Sequence, residues 1–194
     1  MDYSVYIDLL KSRLDEYRLN HSLCVADEAK RLAKKYGADE EKAYFAGLLH
    51  DVTKNETRDF HLNYFKEFDI ILTDVEKESE RLWHAMSGAL FVEHELEISD
   101  KDIISAIRYH TTAKSDMTKL QKIIFVADFT SRDRNYSDVS VMRELADISL
   151  DKAIIYALSY TINKLVANRQ MVHPDALSAY NDILIKNNKS EATF

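Results

Sequence analysis

The run NHSLCVADEAKRLAKKYG, residues 20–37, decides the fold. Leu23, Ala26, Ala33 and Tyr36, with Ala29 or Lys30 between them, recur at spacings of three and four. That is the stripe of an amphipathic helix. Gly37 stands where such a helix stops. Outward from this run the same period continues. A helix is expected over 3–16, with Val5, Leu9 and Leu14 inward. Asp39 opens another, whose stripe of Ala43, Ala46 and Leu49 ends at His50-Asp51. Residues 53–74 read as a loop with short helical pieces, and 76–81 as the solvated start of a helix. Further helices are expected over 83–95, 101–109, 117–129 and 150–167, and a last one over 175–186 with Pro174 at its start.

Composition agrees with a chain built from long helices. Three glycines and one proline occur in 194 residues, where average usage gives about 14 and about 10. Strands need frequent turns and turns need those residues, so their scarcity argues for an all-α fold with short connections. One helical domain over 1–187 with a loose tail at 188–194 is the expected organisation. The N-terminal residues mix acids and bases and do not read as a signal peptide. The single cysteine, Cys24, leaves no internal disulfide and fits a reducing, cytoplasmic setting. Apolar runs such as 123–127 are far too short for a bilayer. A net charge of −7 argues against a nucleic-acid backbone as main ligand. A small molecule is the expected partner, with no nucleic acid and no membrane. Eleven tyrosines leave room for an aromatic homodimer patch.

Several polar residues sit on apolar stripes. His21 begins one with Val25 and Leu32, and His84 shares a face with Gly88 and Phe91. His110 closes a stripe of Ile103 and Ile107, and Asp128 continues one of Leu120 and Ile124. His50 and Asp51, adjacent in sequence, share one ligand only near a helix end. A single histidine on such a face is more often a satisfied core residue than a ligand. Four histidines and two acids together are costly to bury unless paired or metal-bound. Imidazole with carboxylate suits iron, manganese, cobalt, nickel or zinc, and the lack of a cysteine cluster argues against structural zinc. Tyr44, Phe45, Tyr64, Phe65, Phe91 and Tyr180 read as core or pocket wall. His61 and His94 lie among charged residues and are expected on the surface.

The order His21, His50-Asp51, Asp128 resembles the pattern of the HD-domain metal-dependent phosphohydrolases. The surrounding text narrows the likeness: Arg18-Leu19-Asn20-His21-Ser22, Ala46-Gly47-Leu48-Leu49-His50-Asp51-Val52-Thr53-Lys54, Leu82-Trp83-His84, Ala106-Ile107-Arg108-Tyr109-His110-Thr111-Thr112, Val126-Ala127-Asp128-Phe129 and Met171-Val172-His173-Pro174-Asp175. Together they resemble the YqeK-like HD proteins, the bacterial symmetrical diadenosine tetraphosphate hydrolases, over about residues 15–180.

The resemblance implies an all-α HD fold holding iron or a similar divalent ion, and hydrolysis of diadenosine tetraphosphate to two ADP. Carried over by position, His21, His50, Asp51 and Asp128 are metal ligands. A second ion would sit on Asp51, His84 and His110. Asp51, His84, His110 and Lys54 are the catalytic candidates. The nucleotide would also meet Thr111 and Arg134, with Gln170, Met171, Val172, His173, Pro174 and Asp175 at the nucleoside end. Two departures stand out. After Asp128 the chain reads Phe129-Thr130-Ser131-Arg132-Asp133-Arg134, where relatives usually carry an acidic residue and a proline before the arginine. Ala85-Met86 follows His84 where Gly-Pro is common. Two rivals share the metal-type residues: an HD phosphohydrolase for another nucleotide, and a non-catalytic module that senses ADP-like ligands.

Overall fold

Seven helices of the chain open on a side chain that satisfies free N–H groups of the helix start. In the computed structural model, which describes residues 2–191, Asp15, Asp39, Thr57, Asp100 and Ser149 each accept a backbone N–H two or three residues on. Thr73 with Glu76 and Thr118 with Gln121 form reciprocal capping boxes. Eleven α-helices follow among the described residues: α1 Ser4–Arg13, α2 Glu16–Tyr36, α3 Glu40–Leu49, α4 Arg58–Glu67, α5 Asp74–Lys77, α6 Trp83–His94, α7 Lys101–Tyr109, α8 Lys119–Thr130, α9 Val139–Ile148, α10 Leu150–Ala167 and α11 Pro174–Glu191. A 3-10 turn, Glu80–Leu82, leads into α6, and these residues contain no strand. None of the helices is long and apolar enough to cross a membrane.

Helix α2 lies along α3 and α8, α7 packs against α3, α6 and α8, and α10 bridges α8, α9 and α11. One core runs through this bundle from Leu10 to Ile183, including Val25, Leu32, Leu48, Leu49, Ile107, Ile124 and Ile154. A smaller core of Phe65, Trp83 and Met86 lies between α4 and α6. The expected wall residues behave so: Phe45, Phe65 and Phe91 are buried, and Tyr44, Tyr64 and Tyr180 pack against the cores.

Several expectations are corrected. The first helix ends at Arg13, because Leu14 is extended and Asp15 caps α2 from Glu16 onward. Residues 53–74 hold a full helix, α4, which buries His61 and Phe65 against α6. His61 is therefore not on the surface, and its Nδ1 lies 2.8 Å from Ser87 Oγ; His94 is exposed as expected. The start of the 76–81 run is not solvated. Glu76 is buried, its carboxylate taking Thr73 and Arg108 while its carbonyl takes the Trp83 indole N–H. Helix α9 fills a stretch for which no element was expected. The last helix continues to Glu191, into the stretch expected to be loose, since no glycine or proline after Pro174 stops it. Residues 192–194, the remainder of that expected tail, lie outside the described residues.

Gly47 sets the distance between α2 and α3. A Cβ there would lie 3.0 Å from Ala26 Cα and 3.1 Å from the Val25 carbonyl oxygen, both backbone atoms that cannot step aside alone. Gly47→Ala is therefore expected to destabilise the protein by about 1–3 kcal/mol through overpacking, read as a lower midpoint in denaturant unfolding.

Candidate metal centre

Two histidines reach the site by the same local device. His50 ends α3 and His110 ends α7, where the last carbonyls of a helix have no partner. Each ring turns back: His50 Nδ1 lies 2.7 Å from the Gly47 carbonyl oxygen, and His110 Nδ1 2.7 Å from that of Ile107. A carbonyl can only accept, so Nδ1 carries the proton and Nε2 is left with its lone pair. His21, in the second turn of α2, has its Nδ1 2.7 Å from Asp133 Oδ2, again turning Nε2 the other way. The Nε2 atoms of His50 and His110 are thereby committed as lone-pair donors before any ligand arrives, whereas His21, set between the carboxylates of Asp128 and Asp133, is held toward its protonated form against burial and must release its Nε2 proton to ligate.

Those atoms converge with two carboxylates. His21 Nε2 is 2.9 Å from Asp128 Oδ1, and His50 Nε2 is 3.7 Å from Asp51 Oδ2 and 3.9 Å from Asp128 Oδ1. His84 Nε2, from the first turn of α6, lies 3.1 Å from both His110 Nε2 and Asp51 Oδ1. His110 Nε2 is 3.5 Å from Asp51 Oδ1. Three overlapping sets each present ligand atoms within 4.8 Å of one another: His21, His50 and Asp51; His50, His110 and Asp128; Asp51, His84 and His110. Helices α3, α7 and α8 all end here, so the negative ends of three helix dipoles favour a cation.

Electrostatics and satisfaction agree with a cation-binding role. Burial pushes the His50 imidazole down to about 3 and that of His84 down to about 4, so both are neutral at physiological pH, the form that ligates. Burial works to raise Asp51, but His50, His110, His84 and Lys54 hold it well below the usual carboxylate range. Asp128 is held down likewise, against burial, by His21, Arg134 and His50. His50 Nε2 and Asp51 Oδ1 are buried with no hydrogen-bond partner. Such orphaned atoms are expensive to keep unless something binds them. A divalent ion fits these residues on that ground and on the chemistry of the donors.

The other expected residues divide. Past α3 the chain continues in tight turns, yet Lys54 Nζ still lies 3.6 Å from Asp51 Oδ1 and 2.9 Å from His84 Nε2. Thr111 follows His110 with its hydroxyl buried and unpartnered. Arg134 folds back onto Asp128, its guanidinium meeting both the carboxylate and the backbone carbonyl. Gln170 and Met171 line a cavity of about 570 Å³ with Arg169. That cavity shares Glu80 and Arg81 with another, of about 460 Å³, lined by Lys54 and His84. His173 is apart from the cluster, buried against Glu76 at 3.5 Å and Asp175 at 3.7 Å. Val172 is half-buried, and Pro174 begins α11. Two residues escaped the sequence reading. Arg18, 3.7 Å from Asp51 Oδ2, lies in a quoted motif but had no role there. Asp133 lies in the stretch that departs from the family pattern, where only its distance from His21 in space reveals it.

The HD domain model matches residues 18–133. The chain is 38% identical over 184 residues to the symmetrical bis(5'-nucleosyl)-tetraphosphatase of Halalkalibacterium halodurans, covering 93% of this chain and 96% of that one. It is 34% identical over 172 residues to the protein of the same name from Bacillus subtilis, covering 89% and 92%. A crystal structure of a predicted HD superfamily hydrolase involved in NAD metabolism from Clostridium acetobutylicum superposes with a TM-score of 0.93 at 32% identity, covering 96% and 98%.

Asp133 fixes the ring of His21 from behind, and partners of that kind are typically worth a factor of about 10–100 in metal affinity. Asp133→Ala is expected to weaken Mn²⁺ binding by about that factor, measured by calorimetry. Asp133→Asn, which keeps an acceptor oxygen, should restore most of it.

Proposed function

The chain belongs to the HD domain family, and from that premise we propose that its buried histidine–aspartate cluster is the metal centre of a symmetrical bis(5'-nucleosyl)-tetraphosphatase. The enzyme hydrolyses diadenosine tetraphosphate to two ADP. Relatives aligned over nearly their whole length carry that name, and all six metal-type side chains converge in this chain. That convergence is the observation that carries the reading. Residues 1–187 form the catalytic unit in this reading, supported by a core that runs from Leu10 to Ile183.

His21, His50, Asp51 and Asp128 would hold one ion, and Asp51, His84 and His110 a second. Iron is the metal we assign, since imidazoles with carboxylates are its common donors; manganese, cobalt, nickel and zinc take the same set. Such an ion polarises a phosphoryl oxygen and lowers the pKa of water it contacts from 15.7 toward about 7. The protein's own side chains do the rest. Asp51, kept ionised, would be shared by the ions where two are bound and would take the proton of the attacking water where only one is. Lys54 and Arg18 flank Asp51 and offset the charge of the tetraphosphate, which otherwise repels the attack. The Thr111 hydroxyl donates to a phosphate oxygen, and Arg134 gives up Asp128 to make a forked contact with another. The segment from Gln170 to Asp175 closes the nucleoside end.

Symmetrical cleavage fixes the register. Water oxygen bonds to a phosphorus two positions from one nucleoside, and the central anhydride bond breaks. The bonding electrons leave with the second ADP. The substrate is a small molecule rather than a nucleic acid or a membrane. A cytoplasmic setting suits the single buried thiol, Cys24.

Protein purified anaerobically and loaded with Fe²⁺, Mn²⁺ or Co²⁺ is expected to release ADP as sole product, resolved chromatographically. Chelation should abolish turnover, and Asp51→Ala should lower it by about a hundredfold or more. AMP with ATP would place the phosphates in another register. No product with any metal, beside tight ADP binding, would favour the sensing module.

A further inference from the structure

Beside the metal centre lies a cavity of about 460 Å³ whose charge is opposite to that of the chain. The protein carries a net −7, yet this cavity presents Arg18, Lys54, Arg58 and Arg81 against only Glu56 and Glu80. It is joined to the centre directly. His84 lines it and reaches Asp51 Oδ1 at 3.1 Å, and Lys54 and Arg18 lie 3.6 and 3.7 Å from the two Asp51 oxygens. Arg58 and Arg81 have no part in the metal cluster. Both are exposed, Arg58 bonded to Glu80 at 2.7 Å. Exposed like charges gathered in a concave wall repel one another and are kept at a cost in stability. They are suited to an anion that occupies the cavity.

We infer that this cavity is the subsite for the departing nucleoside diphosphate, with Arg58 and Arg81 as its specificity-determining contacts. The inference rests on the tetraphosphatase reading, since it takes the anion to be the half of the substrate beyond the broken anhydride. One half is gripped at the metal centre, and the other must extend past His84 into the wall that Arg81 and Arg58 form. The phosphates it carries there are charged before and after cleavage. Contacts to them bind ground state and transition state alike, and so act on KM rather than kcat. Glu80 belongs to the same device with the opposite sign: it holds Arg58 and competes with phosphate for it. A surface ion pair kept only for stability would respond otherwise, because losing either partner would then leave KM untouched.

The test compares Arg81→Gln, Arg58→Gln and Glu80→Gln in the metal-loaded protein. For diadenosine tetraphosphate, the two arginine variants should raise KM about tenfold each with kcat within about twofold. The inhibition constant of ADP should weaken in parallel. Glu80→Gln should lower KM, because it frees Arg58. All three positions are exposed, so folding is preserved and is checked by the melting temperature. Unchanged KM and unchanged ADP inhibition in both arginine variants, with wild type still producing ADP alone, would overturn the subsite and leave the activity standing. If wild type makes no ADP, the activity falls and ADP binding by calorimetry decides the subsite. Weaker binding in Arg81→Gln then upholds an anion site, and unchanged binding overturns it.

Discussion

Buried lone pairs with nothing to accept from are the constraint on which this structure turns. Three imidazole Nε2 atoms and the oxygens of two carboxylates face one another across a few ångströms, and His50 Nε2 and Asp51 Oδ1 have no hydrogen-bond partner. Those two atoms give up their hydration on folding, and contact with other acceptors returns nothing. A cation is the one kind of partner that satisfies both of them together. Protein cations already approach the cluster: Lys54 stands beside His84 and Asp51, and Arg134 beside Asp128. They moderate the negative charge without meeting His50 Nε2, which remains the unanswered atom.

The helices are arranged to hold that cluster still. Three of them deliver their C-terminal ends to one point, and two end in a histidine whose ring satisfies its own helix's carbonyl. Backbone geometry thereby fixes ring orientation without help from neighbours. Gly47 serves twice in this scheme: its missing side chain lets α3 approach α2, and its carbonyl anchors His50. His21 lies within a helix, not at its end, and so cannot use the same device; a carboxylate from the loop after α8, Asp133, replaces the carbonyl. Arg143 in turn holds the carbonyls of Thr130, Ser131 and Arg134, so the loop that carries Asp133 is itself tied down from α9.

Much of this was legible in the sequence, and the illegible part has a physical reason. The 3-and-4 spacing of small and apolar residues across 20–37 reports burial of one helix face, and the scarcity of glycine and proline reports long helices. His21, His50, Asp51, His84, His110 and Asp128 were visible because each ends or begins an apolar stripe, which is where helices converge. What escaped depends on contacts distant in sequence. Asp133 is 112 positions from the ring it anchors. His61 looks exposed among its charged neighbours, yet α4 turns it onto Ser87. Glu76 sits in a charged run, and only the approach of Arg108 and Trp83 makes its burial tolerable. Helix α1 and α2 boundaries turned on a single cap, Asp15, whose competition with a continuing helix no periodicity reveals.

The central claim is that the unpartnered atoms are metal ligands, and anomalous diffraction from crystals of the Mn²⁺-loaded protein tests it most directly. An anomalous peak is expected within bonding distance of Nε2 of His21 and His50 and of the carboxylates of Asp51 and Asp128. A loaded protein with no ion at that place, and His50 Nε2 still without a partner, would contradict it.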